Sequence, residues 1–254
     1  MSEACVGWRV RVALRATAAL AACGAVLVAA GSCGDDPDAA ERRSLTVFAA
    51  SSLTDVFGDI AAAFEAAHPD VDVTLQFAGS SRLATQINAG ASADVIAAAD
   101  ERTATQVDAR QVTVFARNRL AIAVPPDNPA GVTGLDSLTD RDLVLALCAP
   151  DVPCGALAEQ VGGPELVAAA DTREPNVRGV LTKVLLGEVD AGVVYITDLT
   201  AAGDAVTGID IDHPASTAYP VALLSESPEA ADFVAFVLSP PAQELLAGAG
   251  FEAP

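Results

Sequence analysis

From Leu45 onward the chain alternates short apolar runs with amphipathic segments, and this rhythm restricts its fold more than any other feature. Residues 45–50 read as a buried strand. Ser51-Ser52 then opens a helix with Leu53, Val56, Phe57, Ile60 and Phe64 on one face, ended by His68-Pro69. Ser52 and Asp55 stand at capping-box spacing. Residues 71–77 alternate as a second strand, Gly79-Ser80-Ser81 opens a helix closed by Gly90, and residues 94–99 form a short strand. Further strands are expected over 120–124, 143–148, 191–195 and 218–224. Helices are expected from Cys154, after an Asn176 N-cap, and once or twice over 228–247. Alternation of this kind predicts an α/β fold, with parallel sheets covered by helices on both faces. Ligands of such sheets gather at the carboxyl ends of strands, where helices begin.

Four of the strand-to-helix turns are rich in Ser, Gly and Pro and poor in charge: AASSLT, FAGSSRLA, PDVPCGALA and EPNVRGVL. A helix start leaves N–H groups without internal acceptors and carries partial positive charge. Several starts aimed at one point would hold an anion without Lys or Arg. Each turn alone also has an ordinary reading: Ser as an N-cap, Pro153 at the first helical position, Tyr195 at the edge of a core. Only their joint occurrence points to a site. The net charge of −20 excludes nucleic acid and anionic membrane surfaces as main partners. It also means that an anion must be held by short-range donors. The 2 His and 5 Cys show no metal-ligand spacing, so no metal is expected to be ligated directly.

The first residues read as an export signal. Arg9, Arg11 and Arg15 precede an uncharged stretch over 16–32 that ends in small residues, with Cys33 and the polar Gly34-Asp35-Asp36 immediately after. Cleavage before Cys33 and lipid attachment to its thiol are expected, although Ala30 stands where a bacterial lipobox usually has Leu. An ordinary cleaved signal and a retained N-terminal anchor are the alternatives. Each places the rest of the chain outside the cytoplasm, beyond a polar stalk over 33–44.

At the four turns the sequence resembles the substrate-binding protein of the bacterial molybdate ABC transporter, the ModA family. VFAASSLTDVF, FAGSSRLATQI with ADVIAAAD, FARNRLAIAVP, PDVPCGALA, NVRGVLTKVLLGEVDAGVVYITD and YPVALL occur in that family's order, from about Leu45 to Phe251. The resemblance implies a two-lobed periplasmic-binding-protein fold of type II. Lobe 1 would comprise residues 45–118 and 215–254, lobe 2 residues 119–214, with an oxyanion in the cleft. It implies as ligand contacts the hydroxyls of Ser52 and Ser80, the backbone N–H groups of Cys154 and Val177, and the phenol of Tyr195. Asn176 replaces the usual Asp before Val177, Cys154 stands where Ala is frequent, and the segment between Asp100 and Phe115 is short for the family. Given Cys154 in an exported protein, a Cys148–Cys154 disulfide is expected; free thiols or a labile bond are the alternatives.

The implied function is capture of molybdate or tungstate by a monomeric receptor, with no cofactor and no catalysis, for delivery to a membrane permease. Sulfate or a small organic acid is the alternative ligand; a carboxylate would call for Arg82 or Arg178 in the cleft. Those arginines are expected instead to form salt bridges or lobe contacts, and Asp55, Asp94 and Asp100 to act as caps and turn formers. An extracytoplasmic hydrolase is the remote alternative, since no G-x-S-x-G elbow is present and His68 and His213 both precede Pro.

Overall fold

The computed structural model describes residues 42–254. The signal segment over 1–32 and Cys33 lie outside the described residues. Strands β1 (Arg43–Ala50), β2 (Val71–Ala78), β3 (Val95–Ala97) and β4 (Arg110–Asn118) come first. The chain then crosses into β5 (Leu120–Val124), β6 (Leu145–Cys148), β7 (Thr172–Glu174), β8 (Ala191–Tyr195) and β9 (Thr207–Asp210), and returns as β10 (Thr217–Leu223). The two five-stranded sheets have the orders β2-β1-β3-β10-β4 and β7-β6-β8-β5-β9. Each sheet has its own hydrophobic core and its own helices. Two lobes are thus joined where β4 passes into β5 and where β9 passes into β10.

The α/β architecture agrees with the sequence reading, but the sheets are mixed rather than mostly parallel. β1 runs parallel to β2 and β3, while β10 runs antiparallel to β3 and β4. Likewise β6 is parallel to β7 and β8, while β5 is antiparallel to β8 and β9. β5 and β10 are the first strands after each crossing. They enter their sheets without a strand–helix–strand connection, so the rule that enforces parallel pairing does not act on them.

The helices are α1 (Thr54–Ala67), α2 (Ser80–Asn88), α3 (Glu101–Ala104), α4 (Pro153–Ala169), α5 (Val177–Leu185), α6 (Ile196–Ala202), α7 (Pro228–Val237) and α8 (Pro240–Gly248). A 3-10 turn over Ser51–Leu53 precedes α1, so Ser52 does not cap it. Asp100 caps α3 by accepting the Thr103 N–H at 2.9 Å, and Asn176 caps α5 by accepting that of Gly179 at 3.0 Å. In the segment after Asp100, α3 has only four residues. Asp94 is not the turn former expected: its carboxylate accepts the N–H of Thr46 in β1 at 2.9 Å, 48 residues away, just ahead of β3. The lobe 1 core is aromatic, with Phe64 edge-on to Phe233 at 5.2 Å between centroids. The lobe 2 core is mostly aliphatic. Among the described residues no helix is long and apolar enough to cross a membrane.

Candidate functional site

Ser52, Ser80, Cys154, Val177 and Tyr195 border one small cavity. Each comes from a strand-to-helix junction. Ser52 lies in the turn between β1 and α1, and Ser80 opens α2; both are in lobe 1. Cys154 stands second in α4, Val177 first in α5, and Tyr195 ends β8 just before α6; all three are in lobe 2. All five are buried, at 1–5 % exposure. No side chain caps the helix starts at Ala50, Gly79 and Val152. First-turn N–H groups have no acceptor within their own helix, so a ligand in the cavity would meet them as donors. Among the described residues, those lining the cavity include no carboxylate, His, Lys or Arg.

The hydroxyls are held from behind. Ser80 Oγ accepts the Ala99 N–H at 3.0 Å, and Ser52 Oγ lies 2.8 Å from the Tyr219 hydroxyl. The Tyr195 hydroxyl is buried and has no hydrogen-bond partner among the described residues. A buried phenol in that state costs stability unless a ligand accepts its proton. Burial also pushes the Tyr195 phenol well above the ordinary tyrosine range, so it remains protonated.

Behind Tyr195 lies a charged layer. The Asp198 carboxylate accepts the Tyr195 N–H at 3.0 Å and stands 2.9 Å from Arg178 Nε. Arg178 reaches from lobe 2 to pair with Asp55 of α1 in lobe 1. Asp55 is therefore an inter-lobe partner rather than the capping acid its spacing suggested. Arg178 faces a separate, wider groove of about 750 Å³ shared with Asp55, Asp59 and Glu244, whose carboxylates make it unsuited to an anion. Arg82 lines the outer rim between the lobes. Neither arginine borders the small cavity.

The lobes also touch around the turn from β6 to α4 and at Gly79. Ser81 Oγ donates to the Asp151 carbonyl at 2.7 Å, and Arg102 donates to the same oxygen at 3.0 Å. A Cβ on Gly79 would sit 2.4 Å from the Pro175 carbonyl across the cleft, so only glycine permits this approach. A Cys148–Cys154 disulfide spans the turn from β6 to α4, with Cα atoms 5.7 Å apart. Tyr219, Asp198 and the Asp151 carbonyl went unrecognised in the sequence. Asp198 had a visible signal, since it follows the Tyr195 junction at capping-box spacing. Tyr219 had a weaker one, as the sole hydroxyl in the apolar string YPVALL.

Two α/β lobes with a pocket of helix starts between them suit a solute receptor. The chain belongs to the bacterial extracellular solute-binding protein family, whose model matches residues 45–252. Similarity narrows to molybdate receptors: the chain is 36% identical over 250 residues to the molybdate-binding protein ModA of Mycobacterium tuberculosis (strain ATCC 25618 / H37Rv), covering 93% of this chain and 94% of that protein. Among solved structures, the periplasmic molybdate-binding protein of Azotobacter vinelandii matches with a TM-score of 0.72 at 20% identity, over 83% of this chain and 99% of that one. The sulfate-binding protein SubI of Mycobacterium tuberculosis H37Rv matches with a TM-score of 0.74 at 18% identity, over 84% and 87% respectively. At those identities the two structures speak to the fold alone.

Proposed function

We propose that this chain captures molybdate, and tungstate with it, in the cavity between its lobes and presents the closed form to an ABC permease. One observation carries the reading: a pocket walled by both lobes, lined by helix starts and hydroxyls and by no charged side chain. The contacts proposed are the hydroxyls of Ser52, Ser80 and Tyr195 and the N–H groups of Cys154 and Val177. A tetrahedral dianion without protons accepts from all of them. Phosphate carries a proton that needs an acceptor, and leaving it unpaired costs about 1–3 kcal/mol. Sulfate matches in chemistry but is smaller, and would stretch every contact. The protein acts as a receptor and performs no reaction. Among the described residues His68 stacks on Phe64 at 4.3 Å and the His213 ring accepts the Ala215 N–H at 3.1 Å, so neither is placed as a base. Export through the N-terminal segment, with Cys33 as a lipid anchor and the protein monomeric, completes the proposal.

Calorimetric titration with molybdate, tungstate, sulfate and phosphate tests this reading. Heat from the first two alone is expected. An equal response to sulfate would favour the second reading, a sulfate receptor, since the same neutral donors suit that dianion.

A further inference from the structure

We propose that Tyr219 is a positioning residue for the captured anion: its phenol donates to Ser52 Oγ and thereby turns the Ser52 proton into the cavity. The inference rests on the reading above and names what makes the pocket refuse a protonated anion. Tyr219 does not border the cavity; it stands on β10 behind Ser52. The two oxygens are 2.8 Å apart and both side chains are buried, so water does not compete for the bond. A phenol is far more acidic than an alcohol and accepts hydrogen bonds less well, so in such a pair the phenol gives its proton. Burial keeps that proton in place by raising the Tyr219 phenol above its ordinary range.

The direction matters because a serine hydroxyl rotates freely. With nothing behind it, Ser52 could show an anion either its proton or a lone pair. A lone pair is what a protonated anion needs. The Tyr219 bond takes one of the two lone pairs of that oxygen and favours the rotamer that aims the Ser52 proton into the cavity. Ser80 is fixed in the same way by a main-chain donor, since its Oγ takes the Ala99 N–H at 3.0 Å. Two serines on different helix starts thus each take one hydrogen bond from a group outside the pocket, which biases their protons toward it. The Tyr219 ring is held independently of its hydroxyl, edge-on to Phe115 at 6.3 Å, to Tyr195 at 6.1 Å and to Phe251 at 5.2 Å between centroids. Tyr219→Phe therefore removes the donor and leaves the packing.

The test is a double-mutant cycle read by calorimetry with molybdate and with phosphate, on wild type, Y219F, S52A and the double variant. Y219F is expected to weaken molybdate by about tenfold and to narrow the molybdate-to-phosphate ratio by more than that, because the Ser52 hydroxyl is then free to turn an acceptor toward the phosphate proton. In the S52A background the same substitution is expected to change molybdate affinity by less than about twofold. A purely structural role would lower both affinities together and add to S52A; an unchanged ratio or additive losses would overturn the proposal. Neutron diffraction from crystals of the wild-type protein gives a reading free of any variant. A proton on the Tyr219 oxygen directed at Ser52 is expected, and one on Ser52 directed at Tyr219 would overturn it. Wild type giving no heat with molybdate would instead overturn the receptor reading, and the neutron result would still decide the proton.

Discussion

Asp198 is fully buried, yet it holds together the junction that presents Tyr195. One oxygen accepts the Tyr195 N–H at 3.0 Å. The other lies 2.9 Å from Arg178 Nε as a charge pair without hydrogen-bond alignment. Burial raises its carboxyl to about 7, against the pull of Arg178 and the Tyr195 amide. In the unfolded chain an aspartate loses its proton near pH 4. Between about pH 4 and that raised value the folded state therefore binds more protons, and its stability falls as pH rises. The contribution of Asp198 is greatest in acid and is lost as pH passes through about 7. Asp198→Asn keeps an acceptor for Tyr195 but does not titrate. Denaturant unfolding should show wild type gaining on D198N by on the order of 2–3 kcal/mol between about pH 8 and about pH 5. A difference that stays flat over that range would mean that Arg178 keeps the carboxylate ionised throughout.

At the scale of elements, the turn from β6 to α4 does most to join ligand and closure. Its disulfide ties Cys148, at the end of β6, to Cys154, which lines the cavity. Between them Asp151 offers its carbonyl to Ser81 and Arg102 of the other lobe. Gly155 packs so closely that a Cβ there would lie 1.9 Å from the Ala149 carbonyl. Loosening this turn should disturb an amide donor and two inter-lobe hydrogen bonds together. Replacing Cys148 and Cys154 by Ser is expected to weaken molybdate by about tenfold, chiefly through faster release, as followed by a labelled-molybdate chase. Unchanged release would place the disulfide's value in stability alone. Much of this architecture was legible in local sequence. The strand–helix alternation gave the α/β class, and the Ser-Gly-Pro junctions gave the helix starts that the cavity gathers, because both signals reside in consecutive residues. What stayed hidden were relations across the lobes. The Arg178–Asp55 pair spans 123 residues and the Ser81–Asp151 bond spans 70, so no periodicity announces either. β4 was missed because its first four residues are exposed, and β7 and β9 because three or four residues at a sheet edge carry too short a pattern.

For the whole molecule, charge and pocket oppose each other. The chain carries −20, and the cavity offers a dianion only neutral donors. Long-range repulsion should therefore slow capture, while short-range hydrogen bonds hold the ion once it has arrived. Arg82 and Arg173 line the rim groove beside Asp151 and temper that field locally. Salt separates the two contributions, because the Debye length shrinks from about 30 Å at 0.01 M to about 10 Å at 0.1 M, whereas contacts to buried groups are screened much less. Raising sodium chloride across that range should speed molybdate association several-fold and leave dissociation nearly unchanged. Affinity would then tighten with salt, opposite to the behaviour of a site built on Lys and Arg. Rapid-mixing kinetics at the two ionic strengths decide the matter. Association that slows with salt would show the rim arginines, rather than the global charge, to dominate the approach, and Arg82→Ala with Arg173→Ala should then abolish the slope.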